Sequence, residues 1–386
     1  MPRSLSRAIA LVSTQAAGES AAAAAIRAQT PGGAAGLTVL FCTAGYDLGR
    51  LGRALRAAGR TRVIAAATSR AIGSDGFLTR GITGFHLPPA RFQVADALIE
   101  DTASFGLPDA HALVRTLRAR LARSRHAQLP HLFGMLLVDA APRCEERVIA
   151  ALGTELGGVP IAGGSAGDVY FNPTGQRPEA PCILHRGRAR RGAAVFCLVA
   201  CAEPVLALSH HHYVPGRRRF VITEADPERR LVHEINGRNA LKVYTAACRL
   251  KPGPHPAEAF APYPLMMRIG DQYFARGMQR VYEDGTIEFA CAMEPGLVVT
   301  VAHAGDMVAR LKEMFANMRA TLGRTELVIG FECAARTAYM QQRGLTGAIA
   351  ALFAAHNVVG FSTLGEQFNT IHANNSFTCL GVAAPR

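Results

Sequence analysis

The chain has 386 residues, 49% of them apolar, and this length is sufficient for two domains with buried cores. No stretch approaches the roughly 20 consecutive apolar residues of a membrane-spanning helix, so we expect no membrane span. The net charge of +13 comes almost entirely from arginine. Because no aromatic residues alternate with the arginines, we expect no nucleic-acid ligand. We interpret the arginines as a solvated basic face that could bind an acidic protein.

The first predicted elements are an alanine-rich helix and a strand–helix–strand unit. The helix covers residues 17–29, within an N-terminal helical extension over residues 1–36. Residues 37–42 predict a buried strand, Asp47 caps the helix that follows, and residues 62–67 predict a second strand. This order is typical of a parallel βαβ crossover unit.

The same pattern occurs twice more along the chain. The second unit is predicted over residues 132–162 and the third over residues 326–361. Each unit ends in glycine and hydroxyl residues, and ligands of α/β proteins bind at the carboxyl ends of such strands. The candidate ligand-binding residues are therefore Ser69, Gly163, Gly164, Ser165 and Asp168, with Gly360, Ser362, Gly365 and Glu366 in the third unit.

Between the second and third units the pattern changes to short strands. Turn residues separate apolar runs over residues 180–224, which predicts an antiparallel meander. Asn236-Gly237 predicts a tight turn, and further strands are predicted over residues 277–300. An amphipathic helix follows over residues 305–322, and we interpret its methionine-rich stripe as core.

Two motifs allow an enzymatic or metal-binding interpretation. Residues 163–167 match the G-x-S-x-G elbow of serine hydrolases, although the sequence after them is not helical as that motif requires. Ser165 is thus a third hypothesis for function, as a nucleophile. His210, His211 and His212 could hold a metal, since alternate residues of a strand share a face, or they form a half-exposed strand end.

Nine scattered cysteines and one histidine complete the candidates. The odd number of cysteines and their irregular spacing indicate buried thiols in a reducing compartment, so we expect a cytoplasmic protein.

His372 lies in a polar segment after the third unit. A neutral imidazole can bind haem iron, or His372 can hydrogen-bond Glu366 or the neighbouring asparagines.

Five segments of the sequence resemble the FIST sensor family, in order and over most of the chain. They are residues 68–77 (TSRAIGSDGF), 163–168 (GGSAGD), 221–226 (VITEAD), 331–336 (FECAAR) and 360–372. The last segment is similar in particular to the haem-containing, nitric-oxide-sensing branch often called NosP.

The resemblance implies a fold, a function and partners. The implied fold is α/β, a two-domain FIST architecture with repeated βαβ units and an antiparallel strand region, divided into residues 37–218 and 219–386. The implied function is a bacterial signal-transduction sensor that is not an enzyme, binds haem b through His372 and senses nitric oxide. Its expected partner is a histidine kinase, as in two-component signalling, or a cyclic-di-GMP enzyme, and a homo-oligomer is possible.

Two questions stay open at this point. A FIST module could instead bind a small polar ligand such as an amino acid, without haem, because the glycine loops supply hydroxyl and backbone groups. If haem binds, His210, His211, His233 and His303 are alternatives to His372 as the axial ligand.

Overall fold

The computed structural model describes residues 8–30, 36–60, 62–123, 129–167, 182–251, 255 and 257–385. The helices are α1 (Glu19–Gln29), α2 (Leu48–Ala57), α3 (Leu107–Ala122), α4 (Glu145–Leu156), α5 (Ala240–Ala247), α6 (Met307–Leu322), α7 (Ala334–Gln342) and α8 (Thr346–Ala355), with a 3-10 turn at Ala257–Phe260.

The strands of the first half are β1 (Ala10–Thr14), β2 (Leu37–Thr43), β3 (Val63–Thr68), β4 (Ala71–Gly73), β5 (Gly76–Leu78), β6 (Ile82–Leu87), β7 (Phe92–Ile99), β8 (His131–Asp139), β9 (Ile161–Ala166), β10 (Ile183–His185), β11 (Arg188–Arg190) and β12 (Ala194–Cys201). Those of the second half are β13 (Val205–His210), β14 (Tyr213–Asp226), β15 (Leu231–Ile235), β16 (Arg238–Asn239), β17 (Leu265–Ile269), β18 (Gln272–Arg276), β19 (Met278–Val281), β20 (Ile287–Phe289), β21 (Val298–Ala304), β22 (Thr325–Cys333), β23 (Val358–Thr363), β24 (Glu366–Phe368), β25 (Ile371–Ala373) and β26 (Phe377–Ala383).

Three parallel strand pairs confirm the predicted βαβ units. Strand β2 pairs with β3, β8 with β9, and β22 with β23, each in parallel register. The crossovers are α2 in the first unit, α4 in the second, and α7 with α8 in the third. Asp47 caps α2 as predicted, because its side chain accepts a hydrogen bond from the Arg50 backbone N–H at 2.7 Å.

Each unit lies in a six-stranded sheet, and the three sheets have the same plan. Two antiparallel strands flank the parallel pair on one side, and a short hairpin flanks it on the other. The orders are β1-β6-β2-β3-β10-β11, β7-β12-β8-β9-β24-β25 and β13-β26-β22-β23-β4-β5. One topology is therefore used three times within the chain.

The hairpins are exchanged between the units. The hairpin that follows the first unit, β4–β5, pairs with β23 of the third, β10–β11 pairs with β3 of the first, and β24–β25 pairs with β9 of the second. Equivalent backbone hydrogen bonds, each 2.8 Å long, join Ala67 N to Cys182 O, Ser165 N to Gly365 O, and Ser362 N to Arg70 O. Ala67, Ser165 and Ser362 thus hold equivalent positions.

The main core lies where the three sheets face one another. Its buried cluster draws residues from all three, including Phe41 of the first sheet and Phe361 of the third. The rings of Phe41 and Phe361 stack with centroids 5.0 Å apart, and Phe331 packs edge-on against Phe361. Burial of such apolar surface is the dominant favourable term in folding, and it fixes the three units together.

A fourth, eight-stranded antiparallel sheet confirms the predicted antiparallel region. Its order is β18-β17-β21-β14-β15-β20-β19, with β16 paired to β15. Helix α5 packs against it over a separate core. The predicted turn at Asn236-Gly237 joins β15 to β16, with positive φ at both residues, 52° and 66°.

Several local predictions differ from the structure. The strands of residues 180–224 do not form one meander, because β10 to β14 distribute over all four sheets. Residues 10–14, within the predicted helical extension, form β1 at the edge of the first sheet. The methionine stripe of α6 is buried as predicted, at Met307, Met314 and Met318. Within the described ranges, no helix has the length and apolarity to cross a bilayer.

Candidate functional site

The carboxyl ends of β3, β9 and β23 meet at one point, which we call the strand-end junction (residues 67–69, 165–167 and 362–365). Thr68 Oγ1 donates to Ser362 O at 2.7 Å, and the Leu364 N–H donates to Ser165 O at 3.0 Å. Thr68 and Gly167 also form a parallel bridge. The structure therefore brings the three predicted strand ends together, as expected for equivalent ends of parallel strands.

The glycines of the predicted site are packing positions. Gly163 and Gly164 lie inside β9, which continues to Ala166. The prediction that this strand ends before Gly163 is therefore wrong. A methyl group on Gly164 would lie 2.5 Å from Thr363 Cγ2, and one on Gly360 would overlap the carbonyl group of Gly330. These glycines permit close approach of neighbouring strands.

Ser165 lies within β9 and is fully buried. Its Oγ accepts a hydrogen bond from Gln367 Nε2 at 2.8 Å. A nucleophile elbow instead places the serine at an exposed, sharp turn after the strand. The geometry of Ser165 is that of a structural hydrogen-bond acceptor.

Glu366 is a fully buried carboxyl group at the start of β24. Its side chain accepts hydrogen bonds from Thr363 Oγ1, from Ser376 Oγ at 2.7 Å and from the Ser376 N–H at 3.2 Å. Burial raises the pKa of Glu366 to about 8, although these hydrogen bonds act in the opposite direction. The carboxyl group is therefore mostly protonated at neutral pH.

His372 is 2% exposed, on β25 opposite Gln367. Gln367 Nε2 lies 3.3 Å from His372 Nδ1. Since an amide N–H can only donate, this bond assigns the tautomer with the proton on Nε2. Burial lowers the pKa of His372, with Glu146 acting in the opposite direction. A neutral imidazole results, and its Nε2 has no partner among the described residues.

The other candidate histidines lie at or directly after the end of β13, in β15 and in β21. His212 is buried, and its Nδ1 lies 3.3 Å from Arg336 Nη1. Burial lowers the pKa of His210 to about 3 and that of His211 to about 4. His233 bonds Thr286 at 3.1 Å, and His303 is exposed. Over the described ranges, no group of three or more His, Cys, Asp or Glu residues has a geometry suited to a metal ion.

One side of the junction opens into a cavity of about 320 Å³, which we call the strand-end pocket. It lies at the carboxyl ends of the parallel strands of the first two units and beside the first turn of α2. Its lining residues include Thr68, Gly167 and Leu364 of the junction. Ser69 is partly exposed next to it, and Asp168 lies outside the described residues.

The strand-end pocket presents charges of both signs. Asp139 is the last residue of β8 and is 5% exposed, and its carboxylate accepts from the backbone N–H groups of Ala141 at 2.9 Å and Gly192 at 2.6 Å. The guanidinium of Arg191 is exposed and has no ion pair within the described part of the chain. Asp47 adds a second carboxylate at the start of α2.

Two family models match the chain. The FIST N domain matches residues 36–238, more than half of the chain, and the FIST C domain matches residues 240–369. The chain belongs to the FIST family. FIST domains are sensor domains of signal transduction. No curated protein matches the chain.

The strand-end junction combines both FIST matches. Strands β3 and β9 lie in the FIST N match and β23 in the FIST C match, so neither match contains the whole junction. The strand-end pocket is likewise lined by FIST N residues and by Leu364 of FIST C. His372 lies beyond residue 369, where the FIST C match ends.

Sequence reasoning missed three functional candidates of this FIST domain: Asp139, Arg191 and Gln367. Asp139 is the last residue of the first strand of the second unit, and the rule that selected residues at the ends of the second strands would have found it if applied to the first strands. Arg191 is one of many arginines, and only its position beside the pocket distinguishes it. Gln367 lies in the resembling segment 360–372, but nothing in the sequence indicated its partners, because they depend on the exchanged hairpin.

Proposed function

We propose that this FIST protein is a sensor that binds a small zwitterion such as an amino acid in the strand-end pocket. The observation that carries the proposal is the presence of Arg191 and Asp139 on the wall of one cavity of about 320 Å³. A guanidinium suits a ligand carboxylate, and a carboxylate suits a ligand ammonium group. The volume is in the range of small-molecule sites.

The remaining lining supports the same class of ligand. Alanine residues after the strands and Leu48 provide apolar contacts for a small side chain. The first turn of α2 also borders the cavity, and its amino end is already capped by the Asp47 carboxylate. Asp47 would thus join Asp139 in attracting a ligand ammonium group, and Arg191 would attract the ligand carboxylate.

Leu364 connects the pocket to the exchanged hairpin β24–β25. It lines the pocket, it hydrogen-bonds Ser165 through its backbone, and it directly precedes Gly365 and the exchanged hairpin β24–β25. A ligand that contacts Leu364 in only one arrangement of the hairpin would shift the population toward that arrangement. We propose this shift as the signal.

A thermal-shift screen of the twenty amino acids tests the proposal. A ligand at about 100 times its dissociation constant should stabilise the fold by about 2.7 kcal/mol. The stabilisation should be lost in Arg191→Gln. Arg268→Gln is the matched control, because Arg268 is exposed on the fourth sheet, where it pairs with Asp271 at 3.0 Å. If no amino acid stabilises the protein, or both variants respond equally, the proposal fails.

We further propose that the protein is cytoplasmic, is not an enzyme, and regulates a histidine kinase or a cyclic-di-GMP enzyme. All nine cysteines are free, which supports a reducing compartment. Addition of the bound amino acid to a mixture of this protein and its partner should change the partner's activity. An unchanged rate of autophosphorylation or of cyclic-di-GMP turnover would contradict the regulatory proposal.

Haem binding through His372, with nitric oxide as the signal, is a second proposal. The observation in its favour is the buried Nε2 of His372, which has no hydrogen-bond partner in the described part of the chain. A methyl group on Gly365 would lie 2.7 Å from this nitrogen, so a haem fits only if the contact between Gly365 and His372 opens. A Soret band after reconstitution that disappears in His372→Ala supports it, and the absence of a band rejects it.

A further inference from the structure

The two faces of the fourth sheet differ in burial. Phe220 pairs with Val299 and Val221 pairs with Val298, and successive residues of a strand point to opposite faces. Phe220 and Val299 belong to the core under α5. Val221 and Val298, on the opposite face, are 36% and 49% exposed. Nothing in the described part of the chain covers this valine pair, which therefore offers an apolar contact surface.

A bulge in β14 lies beside the valine pair. Pro215 pairs with Ala302 and Arg219 pairs with Thr300, so β14 advances four residues where β21 advances two. The Thr300 hydroxyl oxygen lies 2.7 Å from the carbonyl oxygen of Arg218, inside the bulge, and this hydrogen bond holds the bulge against β21. Bulges redirect side chains that regular pairing would alternate, so the side chains at this point are presented by a built feature of the sheet.

Three consecutive arginines, Arg217, Arg218 and Arg219, are exposed on this bulge, and none of them forms an ion pair within the described ranges. The guanidinium carbon of Arg218 lies 5.1 Å from the centre of the Phe220 ring, which belongs to the covered face. Arg219 and Val221 are alternate residues of β14 and so share the uncovered face. Guanidinium charge is therefore adjacent to exposed apolar surface.

The charge changes sign across the valine pair. The next charged residue of β14 beyond Val221 is Glu224, and the next one before Val298 is Glu294; both are exposed. A uniformly charged polyanion such as DNA, or an anionic membrane, would meet these carboxylates as well as the guanidiniums. A protein surface can match charges of both signs around an apolar contact, so the pattern favours a protein partner.

We propose that this surface, the bulge face (Arg217, Arg219, Val221 and Val298), binds an acidic segment of a partner protein. Carboxylates of the segment pair with the two guanidiniums, and a neighbouring apolar side chain covers the valines. The net charge of +13 attracts such a partner at longer range. None of the four residues lines the strand-end pocket, so the proposal does not depend on the function proposed for that pocket.

Fluorescence anisotropy with the full chain tests the bulge face. The probe is a labelled peptide in which glutamates adjoin a pair of valines. One analogue has serines in place of the valines, and another has lysines in place of the glutamates. The glutamate–valine peptide should bind about fivefold or more tightly than the serine analogue, because valine side chains lose apolar surface to water on binding, and the lysine analogue should not bind. Its affinity should fall as the NaCl concentration rises, because exposed ion pairs are screened.

Variants assign the binding to the bulge face. Arg219→Gln should weaken binding of the glutamate–valine peptide by about threefold or more. Val298→Thr, which keeps a branched side chain suited to a strand, should weaken it by a similar factor. Arg218→Gln is the matched control, because Arg218 is adjacent and exposed but lies over Phe220, so its effect should be smaller. Arg191→Gln should have no effect.

Several results would overturn the proposal. They are no binding of the glutamate–valine peptide, equal binding of the serine analogue, and equal losses in Arg218→Gln and Arg219→Gln. Single-stranded DNA and phosphatidylglycerol vesicles are tested in parallel. If either binds more tightly than the peptide and loses binding in Arg219→Gln, the bulge face is a nucleic-acid or membrane surface and the proposal fails.

Discussion

At the scale of single residues, Glu366 makes the stability of the fold depend on pH. Burial raises its pKa from 4.5 to about 8, so the folded protein holds a proton that the unfolded chain releases between these values. The contribution of this proton to stability is fully present below pH 4.5 and is lost as the pH rises through about 8. Stability should fall over this window by up to about 1.4 kcal/mol per pH unit.

We therefore expect Glu366→Gln to remove this loss. Urea unfolding at pH 6 and pH 9 should show a clear decrease in the free energy of unfolding for the natural protein and a smaller one for the variant. Glu283→Gln is the control, because Glu283 is exposed and should leave the pH dependence unchanged. Equal losses in the natural protein and in Glu366→Gln would show that another group is responsible.

Gly365 leaves the room that the His372 ring occupies. A methyl group at this position would overlap Cε1 and lie 2.7 Å from Nε2 of the ring. We expect Gly365→Ala to lower the free energy of unfolding by about 1–3 kcal/mol, because overpacking displaces the imidazole.

A second glycine provides the matched comparison for Gly365→Ala. Gly347 lies in α8 with no neighbouring atom within 4 Å of an added methyl group. Gly347→Ala should therefore stabilise the protein by about 0.5–1 kcal/mol. Thermal unfolding compares the two variants, and an unchanged stability in Gly365→Ala would contradict the tight packing of His372.

The sequence predicted residues of the strand-end junction and not their surroundings. Ser165, Ser362 and Gly365 lie at the junction because strand ends follow a local rule, but none of them lines the strand-end pocket. The burial of Asn374 and Gln367 was not predicted, since polar residues are usually exposed and their burial depends on hairpin β24–β25 and the fourth sheet.

At the scale of elements, the start of α4 is joined to the fourth sheet by an ionic cluster. Arg230 is 4% exposed, and its Nη2 lies 2.7 Å from Glu145 and 2.8 Å from Glu146, while Nη1 donates to Ala290 O at 2.8 Å. Glu145 is 1% exposed, and Arg230 is its buried ion-pair partner. The cluster thus joins the second unit to the fourth sheet.

We expect Arg230→Met to cost about 3–5 kcal/mol, because it leaves a buried carboxylate unpaired. The additional change Glu145→Gln should recover part of this loss. Arg268→Met, at an exposed pair, should cost no more than about 1 kcal/mol. Chemical denaturation measures all three, and a small effect of Arg230→Met would mean that water replaces the guanidinium.

The crossover units were predictable because their signals are local. Apolar runs, a cap at Asp47 and glycines after the strands all act within about twenty residues, the range that sequence patterns describe. The sheet partners of β10–β11 and β24–β25 were not predictable. Their pairing joins residues far apart in the chain, which no periodicity encodes, so the meander prediction over residues 180–224 was wrong.

At the scale of the whole molecule, the exchanged hairpins interleave the two matched regions. Strands β4–β5 of the first half complete the third sheet, and β24–β25 of the second half complete the second sheet. The main core takes residues from all three sheets. Neither half therefore contains its own complete set of sheets.

We expect the fragment of residues 8–238 not to fold alone and to gain structure when mixed with residues 239–386. The full chain should unfold without a stable half-folded state, because the core is shared. Amide spectra by NMR distinguish the outcomes. Dispersed signals from the isolated fragment would show that the first half is an autonomous domain.

The exchange of hairpins also determines the order in which the sheets can form during synthesis of the chain. Hairpin β4–β5, residues 71–78, leaves the ribosome well before its partner β23, residues 358–363, has been made. The third sheet can form only after β23 has been translated, and until then β4–β5 has an unpaired edge. A nascent chain that stops before β23 therefore exposes a strand edge that can pair with another chain.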